Sequence, residues 1–198
     1  MTGSPAATRW LWVRHAPTDP DGRIIGRTDL PILEPDGESL VRAATLLQGA
    51  DVLLCSPLGR CRRTAELLHA VGSGMPDPIF DDRLMEQDFG AWEGRRYGDV
   101  AAWDGLPLRD MAALRPPGGE SFLDLVARVR DAVADHGSRF AGRTIAVMSH
   151  AGVIRAATAI ALEMPPHRGL SLGIAPLSVT ALTDHGDGGW AADFVNRI

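Results

Sequence analysis

His15 and His150 are the two histidines whose surroundings suggest chemistry. His15 lies in Trp12-Val13-Arg14-His15-Ala16-Pro17-Thr18, and His150 in Ser149-His150-Ala151-Gly152. Histidine can act as nucleophile, acid or base near neutral pH, and arginine presents a permanently charged fork that matches the oxygens of a carboxylate or phosphate. Singly these signals are weak, because an Arg-His pair occurs by chance and a lone strand-end histidine is more often a satisfied structural residue. His69, His136, His167 and His185 are scattered and read as surface residues. No His-x-x-x-His or His-Glu-x-x-His spacing occurs, and Cys55 and Cys61, the only cysteines, form no Cys-x-x-Cys pair. No zinc site is visible, and the cysteines read as two reduced, packed thiols.

The elements around these residues set where they can stand. Thr8 to Arg14 alternates bulky apolar residues and runs toward Pro17, which predicts a buried first strand with His15 at its carboxyl end. A Gly/Pro/Asp-rich loop over 19–36 leads to a helix over 38–48, stopped by Gly49. Residues 51–55 predict a second strand, and Ser56-Pro57 a helix to about Val71 with Ser56 as its cap. A third strand over 76–84 precedes an irregular stretch, 85–117, holding one short helix near 97–103. Phe122, Leu125, Val126, Val129 and Val133 mark a long amphipathic helix. Residues 144–148 predict a strand ending at Ser149-His150, 153–162 a helix, and 178–183 with 190–195 a terminal hairpin. Such alternation predicts an α/β three-layer sandwich with a mostly parallel central sheet, and ligands of such sheets bind beyond the strands' carboxyl ends. Both histidines fall there.

Composition bounds the rest. A chain of 198 residues, 45% hydrophobic and 23% charged, can close one substantial core. The expectation is a single domain over 1–198, with a disordered lead over 1–8 and an insertion over 87–117 covering the site. A formal net charge of -5 argues against nucleic acid as partner. No run approaches the roughly 18 apolar residues of a membrane span, and no signal peptide is readable, so a cytoplasmic protein with no membrane partner is expected. Whether it is a monomer or a homodimer is not legible.

The decisive feature is a set of motifs in order. Arg14-His15 follows the first strand, Ser56-Pro57-Leu58-Gly59-Arg60 through Thr64-Ala65 the second, then come Leu84-Met85-Glu86-Gln87-Asp88-Phe89-Gly90 and Ser149-His150-Ala151-Gly152. Together they resemble the histidine phosphatase, or phosphoglycerate-mutase-like, superfamily from about residue 9 to 195. The resemblance implies His15 as nucleophile, Arg14 and Arg60 as phosphate ligands, His150 as a second phosphate-binding histidine and Glu86 as acid-base residue. It further implies a phosphate contact for Thr18 and for Ala151. Ala16 stands where the family's best-known form has glycine, which is tolerable at negative φ.

That chemistry needs these residue types. A neutral imidazole attacks phosphorus with one ring nitrogen while the other keeps its proton. Two guanidinium forks offset the dianion, so neither metal nor cofactor is expected. Glu86 must hold a proton for the leaving oxygen and then take one from water. Arg23 and Arg27, in the loop after the nucleophile, are candidate substrate ligands, whereas Arg62, Arg63 and Arg155 read as solvated or ion-paired. Tyr97, Trp92 and Trp103 either stack on a ring-bearing leaving group or pack the insertion. Glu120 reads as a cap of the long helix.

The expected substrate is a small phosphomonoester. Phe89-Gly90-Ala91-Trp92-Glu93-Gly94 and Pro116-Pro117-Gly118-Gly119-Glu120-Ser121, with the segment around His15, look most like the α-ribazole-5'-phosphate phosphatases of cobalamin assembly. A phosphoglycerate-mutase-type phosphotransferase is the first alternative, but the insertion lacks the extended basic segment such mutases carry. A non-catalytic phosphate-binding module is the second, and its usual mark, a missing nucleophile or arginine, is absent. Residues 94–117, where specificity lives, carry no diagnostic residue.

Overall fold

The computed structural model describes residues 6–103 and 105–198. Strand β1 (Thr8–Arg14) sends Trp10 and Trp12 to one face of a sheet and Leu11 and Val13 to the other, as a period of two requires. Thr8, expected in a disordered lead, is buried, and its Oγ1 accepts from the Gly142 N–H; residues 1–5 lie outside the described residues. Helix α1 (Gly37–Leu46) is capped by Asp36, and β2 (Val52–Cys55) is buried throughout.

Helix α2 (Gly59–Ala70) begins later than expected. Ser56 is not its cap: the carboxylate of Asp29 accepts from the N–H groups of Gly59 at 2.5 Å and Arg60 at 3.3 Å, and the Ser56 hydroxyl is engaged elsewhere. The third strand shrinks to β3 (Pro78–Phe80), because residues 82–84 wind into a 3-10 turn capped by Asp81.

Residues 85–117 hold 3-10 turns at Gly90–Trp92, Tyr97–Asp99 and Ala101–Trp103, then the short α3 (Leu108–Ala113). They fold onto the domain through a small cluster of Ile24, Trp92 and Val100, so Trp92 serves packing. Helix α4 (Phe122–Arg139) is capped by a reciprocal pair, Ser121 and Asp124, rather than by Glu120. Strand β4 (Thr144–Ser149), helix α5 (Ala151–Ala161), a short α6 (Pro166–Gly169) with no forecast, and the hairpin β5 (Val179–Asp184) and β6 (Trp190–Arg197) complete the chain.

The sheet order is β3-β2-β4-β1-β5-β6, with β1 to β4 mutually parallel and the hairpin antiparallel at one edge. One apolar core joins the sheet to α4 and α5, the other joins it to α1 and α2. This is the three-layer α/β sandwich with a mostly parallel sheet. Its consequence for chemistry is positional: β4 lies between β2 and β1, so His150 emerges between the start of α2 and His15. Buried His136 corrects one expectation. It is only 7% exposed, and its Nε2 meets Asp81 Oδ2 at 2.8 Å, a pairing across 55 residues.

Candidate active site

His15 is buried just past β1, and its Nδ1 lies 2.7 Å from the carbonyl of Ala16. A carbonyl can only accept, so Nδ1 carries the proton and Nε2 keeps a lone pair. Burial, then the charge of Arg60, pushes the imidazole's pKa down to about 3; the bond to Ala16 works against them and Arg14 with them. The ring is therefore neutral at physiological pH, as a nucleophile must be. The neighbouring backbone is tied as well: the His15 N–H donates to Ser149 O, and the Ala16 N–H to Thr64 Oγ1.

His150 is fully buried, its ring centroid 5.1 Å from that of His15. Arg60 Nε donates to its Nδ1 at 3.2 Å, so Nε2 holds the proton and gives it to Ser56 Oγ at 2.8 Å. Burial, and then the charge of Arg60 with Arg128 and Arg14 adding to it, holds its pKa well below the usual histidine range. His150 lines neither cavity described below; it stands behind Arg60 and anchors it. Ser56, read as a helix cap, in this way sets the tautomer of a site histidine.

Arg60 is 3% exposed. Besides His150, it donates through Nη1 to Thr28 O at 2.9 Å and through Nη2 to Gly26 O at 2.5 Å, and Nη1 also faces the Asp29 carboxylate at 3.6 Å. Arg14 donates through Nη1 to Ile174 O at 2.6 Å, but its buried Nε has no partner among the described residues. Burial lowers its pKa; Glu86 opposes this, and Arg155 and Arg60 add to it. A half-buried cation among other cations calls for an anion.

The carboxylate of Glu86 accepts from the N–H of Gln87 at 3.0 Å and of Gly152, at the start of α5, also at 3.0 Å. A Cβ at position 152 would overlap Glu86 Oε1, so a side chain there would displace the Glu86 carboxylate. Arg128 donates to the carbonyls of Arg83 and Glu86 and pairs with Glu120, which in turn accepts from the Asp88 N–H. Glu120 therefore braces the loop that carries Glu86.

Glu93 has a parallel role that single residue types did not announce. Its oxygens accept from the N–H groups of Gly26, Arg27, Thr28 and Phe89, so that, although burial pushes its pKa up, these bonds hold it below the usual value. The loop it gathers is the one whose carbonyls hold Arg60.

Two joined hollows result. A small one of about 130 Å³ is lined by Arg14, His15, Thr18, Arg23 and Arg60, which brings together most of the expected phosphate site. A larger one of about 590 Å³ opens beside it, and Arg14, Ile25, Glu86 and Tyr97 line both. Ala151 and Arg155 border the larger hollow, not the phosphate-sized one. Arg27 is not brought in: it faces Asp88 at 3.4 Å and Glu120 at 3.8 Å. Arg62 covers Phe80, and Arg63 pairs with Glu34 and Glu66. Cys55 and Cys61 are buried free thiols, their pKa pushed up by burial, that of Cys55 to about 12. No helix among the described residues is long and apolar enough to cross a membrane.

Comparison with known proteins agrees with this geometry. The bifunctional protein Rv2228c of Mycobacterium tuberculosis is 32% identical over 98% of this chain, which spans 55% of that protein's length. The adenosylcobalamin/α-ribazole phosphatase of Salmonella typhimurium is 32% identical over 79% of this chain and 80% of its own. The solved structure of mycobacterial glucosyl-3-phosphoglycerate phosphatase Rv2419c superposes with a TM-score of 0.83 at 30% identity, covering 97% of this chain and all of that one. The model of the histidine phosphatase superfamily, branch 1, matches residues 10–197, and with the relatives' identity it shows that this chain belongs to that superfamily.

Proposed function

We propose that this protein hydrolyses phosphomonoesters of small metabolites through a phosphohistidine on His15, with α-ribazole 5'-phosphate as the first candidate substrate. The observation that carries the reading is that His15, whose Nε2 keeps a free lone pair, lines one phosphate-sized hollow together with the guanidinium-bearing Arg14 and Arg60. Arg14 and Arg60 take the non-bridging oxygens, with Thr18 and Arg23 at the rim. Nε2 attacks phosphorus as the ester P–O bond breaks, and Glu86 gives its proton to the departing oxygen. Water then attacks the phosphohistidine, Glu86 takes its proton, and neutral His15 returns with release of phosphate. Charge is balanced by arginine throughout, so no metal enters the scheme.

The test is phosphate release from a metabolite panel in excess chelator, including α-ribazole 5'-phosphate and glucosyl-3-phosphoglycerate. Expected are turnover and a trapped phosphoenzyme that is stable in alkali, labile in acid and absent from His15→Ala. No phosphoenzyme with any ester, or activity that needs added magnesium or zinc, would overturn the reading. Isomerisation of 3-phosphoglycerate faster than phosphate release would replace hydrolysis by transfer.

A further inference from the structure

The larger hollow bears on what the phosphate is removed from. Its volume of about 590 Å³ falls within the range of small-molecule sites. One wall is aromatic: Tyr97 lies on Trp103 with ring centroids 5.3 Å apart and planes 24° apart, and Phe89 meets Trp103 edge-on at 5.7 Å. Tyr97 is 53% exposed even though Trp103 packs against its ring. An exposed ring backed by a second ring offers a stacking surface.

Its place relative to the chemistry is specific. Tyr97 and Glu86 line both hollows, so the surface begins where the leaving oxygen would receive its proton. The segment is also held in place. The Tyr97 N–H donates to Gly22 O, Arg96 donates to the carboxylate and the carbonyl of Asp21, and Arg23 pairs with Arg96 as a β-bridge. The ring is therefore fastened to the loop that follows the nucleophile. Arg155 completes the wall: its Nε is spent on Leu172 O, and its terminal nitrogens make no hydrogen bond or ion pair among the described residues, so they are available to an oxygen acceptor.

From this geometry we infer that Tyr97, backed by Trp103, is a specificity-determining residue that selects phosphate esters of alcohols bearing a flat ring close to the ester oxygen. The inference rests on the hydrolase reading above and narrows it. A ring stacked on Tyr97 keeps the ester bond over His15, while an acyclic alcohol leaves the surface wet and the ester loosely held.

The experiment compares benzyl phosphate with glycerol 3-phosphate, both primary alkyl esters. Release of phosphate is followed with the wild-type chain, Tyr97→Phe and Tyr97→Leu, and folding of each is checked by thermal melting. The wild type is expected to favour benzyl phosphate in kcat/KM by about tenfold or more, the scale of one ring stack. Tyr97→Leu should collapse that ratio about tenfold, chiefly through KM, and Tyr97→Phe should restore it. Equal kcat/KM for the two esters in the wild type, or an unchanged ratio in a folded Tyr97→Leu, would overturn the ring selection alone. No phosphate from either ester and no phosphoenzyme would fail the hydrolase reading and this inference with it.

Discussion

At the scale of single residues, the site works by denying each group an alternative. His15 can hold its proton only at Nδ1, because Ala16 O is there to receive it, and so offers Nε2. Glu86 is pinned by two backbone N–H groups where the two hollows meet, which leaves each oxygen a second lone pair. The two duties proposed for it can be separated by the leaving group. A p-nitrophenolate departs without a proton, so Glu86→Gln should still release p-nitrophenol in a burst of about one equivalent while steady turnover falls by about 10²–10⁴-fold. Stopped-flow absorbance checks this. A linear trace with wild-type steady rate would remove Glu86 from both steps.

At the scale of elements, the parallel strands β2, β4 and β1 deliver Ser56, His150 and His15 side by side, and loops from outside the sheet complete the charge. The loop over 26–28 has no secondary structure of its own to hold it and relies on Glu93. Gly26 is required in it, since a Cβ would overlap Gln87 O and Glu93. The path from Glu93 to phosphate then runs through the carbonyls of Gly26 and Thr28 to Arg60. Glu93→Ala is expected to raise KM and to lower kcat/KM about tenfold or more, whereas Glu93→Gln, which keeps one accepting oxygen, recovers part of the loss. Steady-state kinetics decide it; an unchanged KM in a folded Glu93→Ala would show that Arg60 is held without this loop.

At the scale of the whole molecule, two histidines are kept neutral inside a charged pocket, and that links stability to pH. The pKa of His15 lies lower in the folded chain, at about 3, than the 6.5 of an ordinary histidine, and that of His150 is lowered too. The unfolded chain therefore binds more protons below pH 6.5. Their contribution is complete above about pH 6.5 and is lost as pH falls from there toward 3. Urea denaturation at pH 7, 5.5 and 4.5 should give a falling midpoint, and the slope should flatten in His15→Asn. A midpoint with the same pH dependence in the variant would show that His15 is not buried neutral.

Much of this was readable along the chain. Periodicity and turn residues located β1, α4, β4 and the β5–β6 hairpin, because core-facing spacing and caps act over a few residues. The order of the motifs around His15, Arg60, Glu86 and His150 pointed to the family, since each motif sits in a local strand-to-loop context. What needed the tertiary structure were the partners supplied from far away. Asp29 caps α2 from thirty residues upstream, which frees Ser56 for His150 across 94. Glu120 turns to Arg128 and Asp88 because Ser121 and Asp124 already cap α4. Arg27 is taken by carboxylates, Glu93 gathers a distant loop, and Tyr97 stands over the junction of the two hollows. A side chain's type and its neighbours in sequence determine what chemistry it can do. Which of its possible partners it meets depends on the strand order and loop packing that bring distant segments together.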